Sequence, residues 1–216
     1  MKTAIVGLGN IGACVAKNLV EGGESIILAA RDQAKARALA KTLGRNAEVA
    51  SIDEAIKRAD ILILGIWFET IKQFIGAHRT SLVGKILVDP SNPIAPDGKG
   101  GFTKIIAADQ SAGQVIAGLL PEGAKLVKAF GTTSAQSLES GTNRKPEPAV
   151  LFYATDNPDA GRAVAKLIAA SGFAPIAVGG INHSIRIEAF GDLHEYGKLG
   201  RLVNGREAAE LIKSAA

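Results

Sequence analysis

A hexapeptide near the start of the chain, "GLGNIG" at residues 7–12, constrains the fold more than any other feature. It directly follows the apolar run "TAIV" and opens a segment whose apolar residues recur at three- and four-residue spacing. In a glycine series Gly-x-Gly-x-x-Gly between a strand and a helix, each glycine has a physical reading. Gly7 permits a tight turn, Gly9 lets backbone approach a pyrophosphate, and Gly12 lets helix and strand pack closely. The structural alternative is a tight turn with no ligand. Its place at the first strand, with a strand-helix-strand unit following, favours dinucleotide binding.

Short apolar runs at 3–7, 25–30, 48–50, 61–65, 85–88 and 125–129 alternate with segments of helical period at 10–21, 33–43, 52–58, 69–77 and 111–119. That alternation predicts α/β class: a Rossmann-type doubly wound, mostly parallel sheet covered by crossover helices. The breaker-rich "GTTSAQSLESGTNRKPEP" then reads as a loop or short helix and a connection, with a boundary near Pro148. Beyond it "AVLFYA", "NPDAGRAVAKLIAASG" and "APIAV" form one more strand, helix and strand, and everything from Gly180 reads as helical to "GREAAELIKSA". The expected division is a dinucleotide-binding Rossmann domain over 1–147 and a small C-terminal α/β extension over 148–216.

Composition narrows the function classes. With 216 residues, 47% hydrophobic and 21% charged, the chain can bury a full core and lacks the charge excess of a disordered one. A net charge of +4, spread along the sequence, suits small anionic ligands better than nucleic acid. One cysteine, Cys14, excludes an internal disulfide and a multi-cysteine metal site, and it reads as an inert residue on a core face. No signal-like start and no apolar run of about 18 residues is present. A cytoplasmic protein with no metal and no membrane partner is expected.

The second strand of such a fold usually ends in Asp or Glu about 20 residues past the glycines, where the carboxylate binds the adenine ribose of NAD. Here "IILAARD" puts Ala30 at that place and Arg31 beside it. A small neutral residue leaves room, and a planar guanidinium suits a 2′-phosphate, with Lys35 one helical turn on. Asp32 reads as the N-cap of the helix at Gln33. NADP is the expected cofactor; the plain alternative makes Arg31 and Lys35 solvated surface charges.

Equally informative is what the chain does not offer. Hydride transfer to a carbonyl moves a proton as well, and usually recruits His, Lys or Tyr. His78, His183 and His194 lie away from the predicted strand ends of the nucleotide half and read as ordinary polar or capping residues, so no catalytic residue is assigned. Only residues 179–216 follow the last predicted strand, too few for a helical substrate domain, which leaves the strand ends to hold the substrate. A reaction needing only stacking and orientation, such as hydride exchange with a flavin-like ring, fits that inventory.

At this point "GLGNIG", "AARD", "GIWFE", "VDPSNPI", "GKGGFT", "VKAFGTTSA" and "GFAPIAVGGINHSIRIE", in this order, resemble the NADPH-dependent coenzyme F420 reductases (F420H2:NADP oxidoreductases), in a bacterial-type form. The resemblance implies pyrophosphate contacts at Leu8, Gly9, Asn10 and Ile11, and a 2′-phosphate site at Ala30, Arg31 and Lys35. It implies that Ile66 and Trp67 flank the nicotinamide, that Ser91, Asn92, Pro93, Ala129 and Thr132 line the cleft for a deazaflavin, and that residues 98–101 form a flap. The chain departs from the family at Trp67, where a proline is frequent, at Gly131, where His or Asn is, and at Ala30, which replaces a serine.

Alternatives stay open at several positions. Trp67 is a stacking wall or a packing residue, and Asn92 bonds the nicotinamide amide or caps the turn before Pro93. Glu188 and Arg186 reach the cleft or are solvated charges on a helix. The leading expectation is an NADP-dependent oxidoreductase with an F420 or flavin-like acceptor, in a homodimer. A non-catalytic NADP-sensing or partner-binding module, or a reductase of small imines or carbonyls, are the other readings.

Overall fold

In chain order the computed structural model, which describes residues 1–213, begins β1 (Thr3–Val6), α1 (Asn10–Glu21), β2 (Ile26–Ala29), α2 (Gln33–Leu43), β3 (Ala47–Val49) and α3 (Ile52–Arg58). It continues β4 (Ile61–Leu64), α4 (Phe68–His78), β5 (Ile86–Asp89), β6 (Ile94–Pro96), β7 (Phe102–Lys104), α5 (Ala112–Leu119) and β8 (Lys125–Lys128). The last part holds α6 (Ala135–Ser140), β9 (Val150–Tyr153), α7 (Pro158–Ala170), β10 (Ala174–Ala177) and α8 (Gly205–Lys213).

Six strands form one parallel sheet in the order β3-β2-β1-β4-β5-β8. This is the expected doubly wound sheet. Its order reverses between β1 and β4, so a crevice opens at the carboxyl ends of those two strands, where such folds bind ligands. Alternate side chains of β1 feed opposite faces: Ile5 joins Val15 and Leu19 of α1, whereas Ala4 and Val6 join Ile56 of α3 and Ile71 of α4. Burial on both faces explains why the strands read as continuous apolar runs.

Local chemistry sets most helix limits. Asp32, Ser51, Ser111 and Asn157 each accept a backbone N–H at the start of their helix, and Ser51 with Glu54 completes a capping box. The Asp32 side chain takes the Lys35 amide at 3.0 Å, the capping role expected for it.

β9 and β10 pair with each other in parallel, outside the main sheet, with one antiparallel bridge between Lys128 and Ala154 joining the two. Val164, Leu167 and Ile168 of α7 share a core with Val15 and Leu19 of α1. The segment from Gly180 differs from the sequence expectation. It is a 3₁₀ helix over Ile181–Ile187, then turns to Asn204, and only then α8. The apolar residues there are buried without helical period: Ile181 joins the core on the α3 and α4 side of the sheet, and Ile187, Leu193 and Val203 share a cluster with Val150 and Phe152 of β9. Ser214 and Ala215 of the predicted final helix lie outside the described residues. The antiparallel β6–β7 hairpin is a second departure, and residues 98–101 form its tip.

Candidate functional site

Three glycines interlock under the crevice. A Cβ on Gly12 would stand 2.0 Å from the Gly7 carbonyl oxygen, and one on Gly65, just past β4, would stand 2.6 Å from the same atom. Gly7 itself has φ +92, which L side chains rarely adopt. Gly9 is different: a Cβ there would meet nothing within 4 Å. Gly7, Gly12 and Gly65 are thus glycines because protein backbone is in the way. Gly9 keeps clear a space that no protein atom fills, which is what a cradle for an approaching pyrophosphate requires.

Two helix starts face this space without a side-chain cap. Gly9 precedes α1 and Trp67 precedes α4, and neither supplies an acceptor to its helix. By contrast α2, α3, α5, α6 and α7 are capped by Asp32, Ser51, Ser111, Ser134 and Asn157, and Asn204 takes the Glu207 amide in α8. Free N–H groups at the first turn suit an anion.

Two neighbouring cavities form the channel of the crevice, an outer part and an inner part with a shared wall. The outer part, about 620 Å³, holds Gly7, Leu8, Gly9, Ala30, Arg31, Lys35, Ile66 and Trp67 of the expected cofactor set, with Phe74 of α4 among its walls. The inner part, about 300 Å³, holds Gly9, Asn10, Ile11, Ile66, Trp67 and Asn92. Gly9, Gly65, Ile66 and Trp67 line both. Ala30 is buried, while Arg31 and Lys35 are exposed and have no acidic partner among the described residues. Trp67 is 62% exposed where the two parts meet, so packing does not account for it. These features fit NADP: open cationic end, uncapped α1, then an apolar inner end.

Not every expected residue reaches the channel. Gly12 lies beneath the turn, and Pro93, Ala129 and Thr132 are buried and line neither part. Asn92 is committed elsewhere as well as lining the inner part. Its Nδ2 donates to the Gly131 carbonyl at 3.0 Å and its Oδ1 accepts the Ala189 amide at 2.7 Å, so it ties two loops together. The residues lining the inner part include no Asp, Glu, His, Lys, Arg, Cys or Tyr.

A charge network missing from the sequence reading underlies the floor. Asp89 ends β5 and Lys128 ends β8, and they are register partners. The Lys128 ammonium donates to Asp89 Oδ2 at 2.9 Å and to the Ser91 carbonyl, and lies 4.0 Å from Glu188 Oε1. Glu188, for which a place in the cleft and a solvated charge both stood open, is neither: it is 2% exposed, lines neither part, and caps α5 by accepting the Ala112 and Gly113 amides at 2.8 and 2.9 Å. Burial pushes its carboxyl above the ordinary range, and the Lys128 charge and those two amides oppose that rise. Arg186, by contrast, pairs with Asp192 at 2.8 Å and does not reach the channel.

His194, expected as an ordinary polar residue, is 2% exposed. Its Nδ1 accepts the Tyr196 amide, so Nε2 carries the proton and donates to the Gly131 carbonyl at 3.0 Å. Burial depresses its pKa to about 4. Beside it Glu195 accepts from Thr133, Ser137 and the Ser134 amide at the start of α6; burial works against its charge, yet these bonds hold the carboxyl below the ordinary value. Residues 188–195 therefore form a strap sewn across the ends of β5 and β8. Cys14 is half-buried in α1, where its thiol donates to the Ala135 carbonyl and burial pushes its pKa up.

Comparison with known proteins agrees with the fold. Residues 2–93 match the family model described as NADP oxidoreductase coenzyme F420-dependent. The chain is 29% identical over 170 residues to the F420-dependent NADP reductase of Methanothermobacter marburgensis, covering 74% of this chain and 75% of that one. It is 28% identical over 188 residues to the metalloreductase STEAP3 of Rattus norvegicus, covering 87% of this chain and spanning 36% of the rat protein's length. Among solved structures, a hypothetical protein from Sinorhizobium meliloti superposes with a TM-score of 0.83 at 26% identity, over 94% of this chain and 95% of that one. No helix among the described residues is long and apolar enough to cross a membrane.

Proposed function

We propose that this chain, whose residues 2–93 match the model of the F420-dependent NADP oxidoreductases, is an oxidoreductase of that kind and passes a hydride between NADP(H) and a deazaflavin or flavin-like ring. The observation that carries the proposal is the channel itself. Its outer part holds an arginine and a lysine with no acidic partner among the described residues, and the adjoining inner part has walls that hold no acid or base.

NADP(H), when bound, supplies the transferable hydride. Arg31 and Lys35 would read the 2′-phosphate, with Ala30 leaving the room that an acidic residue would take. The N–H groups at the start of α1, exposed by Gly9, Asn10 and Ile11, would hold the pyrophosphate. Ile66 and Trp67 would place the nicotinamide at the inner end. Ile11, Ile94 and the Trp67 ring give that end apolar walls suited to a planar tricycle and poorly suited to water. A ring acceptor accepts hydride without a protein acid, which a simple carbonyl does not. On this reading residues 1–147 carry the cofactor, and the extension 148–216 fixes the floor through its strap.

The test is direct: protein is mixed with NADPH and, separately, F420, FMN and riboflavin, and the nicotinamide absorbance band is followed. Oxidation with at least one ring acceptor is expected. No turnover with any of them sinks the proposal.

A further inference from the structure

A buried ion pair is a poor source of stability, because taking both charges out of water offsets most of their attraction. Asp89 and Lys128 form such a pair at 2.9 Å, and neither lines the channel. Their remaining bonds show what else they do. Asp89 Oδ1 accepts the Ser91 amide at 2.7 Å and the Lys128 ammonium donates to the Ser91 carbonyl, so one pair holds both backbone groups of that residue. Ser91 is the middle of residues 90–92, all three of which line the inner part. Pro90 and Pro93 carry no amide hydrogen, so between them only Ser91 and Asn92 have backbone donors, and Asp89 takes the first. Behind this wall a Cβ on Gly131 would stand 2.4 Å from the Pro90 carbonyl oxygen, and the Asn92 side chain bonds the Gly131 carbonyl and the Ala189 amide.

We propose that Lys128 is a positioning residue: together with Asp89, and touching no ligand itself, it fixes the wall at residues 90–92 against which the nicotinamide is seated. The inference rests on the NADP reading of the channel and deepens it. Residues 90–93 connect β5 to the β6–β7 hairpin without regular structure, so no ladder of backbone bonds holds them. A side-chain clamp replaces that ladder. Its two halves come from neighbouring strands of the rigid sheet, which ties the wall to the same frame that carries Gly7 and Gly65. Hydride transfer asks for such precision, since a displacement of about 1 Å in a reacting group can cost on the order of 100-fold in rate. Lys128 is 2% exposed and Asp89 0%, so water does not compete for the clamp.

Two variants test the clamp at a temperature where melting curves show them folded. Asp89→Asn with Lys128→Met removes the ammonium without stranding the carboxylate, and Asp89→Glu keeps both charges but adds one methylene between the strand and the Ser91 amide. Each is titrated beside the unaltered protein with NADPH and with 2′-phospho-ADP-ribose, which lacks the nicotinamide. The emission of bound NADPH, which comes from its dihydronicotinamide ring, is recorded as well. In the double variant NADPH affinity should fall roughly three- to tenfold with 2′-phospho-ADP-ribose within about twofold, and the emission should move toward that of free NADPH. Asp89→Glu should shift both readings in the same direction by less, and it carries the test alone if the double variant does not fold. A purely structural role lowers the melting midpoint and leaves the ratio of the two affinities and the emission unmoved. That result, equal losses of the two nucleotides, or an unaltered protein that binds both alike with no change of emission, overturns the proposal. Failure of the unaltered protein to bind 2′-phospho-ADP-ribose is a separate result that overturns the NADP reading as well.

Discussion

Asp89 and Lys128 face each other at the carboxyl ends of two neighbouring parallel strands, joined at 2.9 Å with both side chains almost wholly out of solvent. Removing one partner of such a pair leaves the other charge buried and alone, which costs about 3–5 kcal/mol. Lys128→Met should therefore lower unfolding free energy by that order in chemical denaturation. Adding Asp89→Asn to it should recover part of the loss, because the stranded carboxylate is gone. A single-variant loss below about 1 kcal/mol, or strict additivity, contradicts this role.

Gly9 and Gly12 separate binding from stability. Gly12→Ala places a Cβ 2.0 Å from the Gly7 oxygen and should destabilise the fold by about 3 kcal/mol. Gly9→Ala meets no protein atom, so it should cost about 1 kcal/mol at most as an altered helix cap, yet abolish measurable NADPH binding. The check is thermal melting beside fluorescence titration, and a stable Gly9→Ala that binds NADPH normally speaks against the cradle.

Lowered pH should loosen the strap through His194. Its pKa is about 4 in the folded chain against 6.5 for the free side chain, so between those values the unfolded chain binds the extra proton. The resulting stability is fully present above pH 6.5 and is lost as pH falls toward 4, by on the order of 2–4 kcal/mol. His194→Gln keeps a donor for the Gly131 carbonyl without titrating. Melting curves of the two proteins across that range should converge as pH falls, and a gap that stays constant excludes His194 as the cause.

The legible parts of this chain were those whose structure is decided locally. Asp32 and Ser51 cap helices within four residues of themselves, and the limits of α1, α2 and α3 follow from apolar spacing and caps. The glycine turn was legible for the same reason, apart from Gly65, whose need arises only when β4 is brought beside Gly7. What stayed hidden depends on distant partners. Lys128 is a charged strand residue like any other until Asp89 and Glu188 are brought to it, and Glu188 lies 75 positions from the Gly113 amide it caps. The β6–β7 hairpin was masked by Pro93 and Pro96, which break a strand pattern, and by strands of three residues each. The stretch after Ile187 is tied down by bonds between side chain and distant backbone, its Ala189 amide held by Asn92 and its Glu195 accepting the Ser134 amide, for which periodicity gives no signal.

The cofactor assignment stands or falls on Arg31. The decisive measurement is the affinity of the unaltered protein and of Arg31→Glu for NADPH and for NADH, titrated side by side at one salt concentration. Loss of a charge-assisted contact to the 2′-phosphate should weaken NADPH binding roughly 10- to 100-fold and leave NADH within about threefold. Equal losses for the two nucleotides, or an unaltered protein that prefers NADH, would contradict the account.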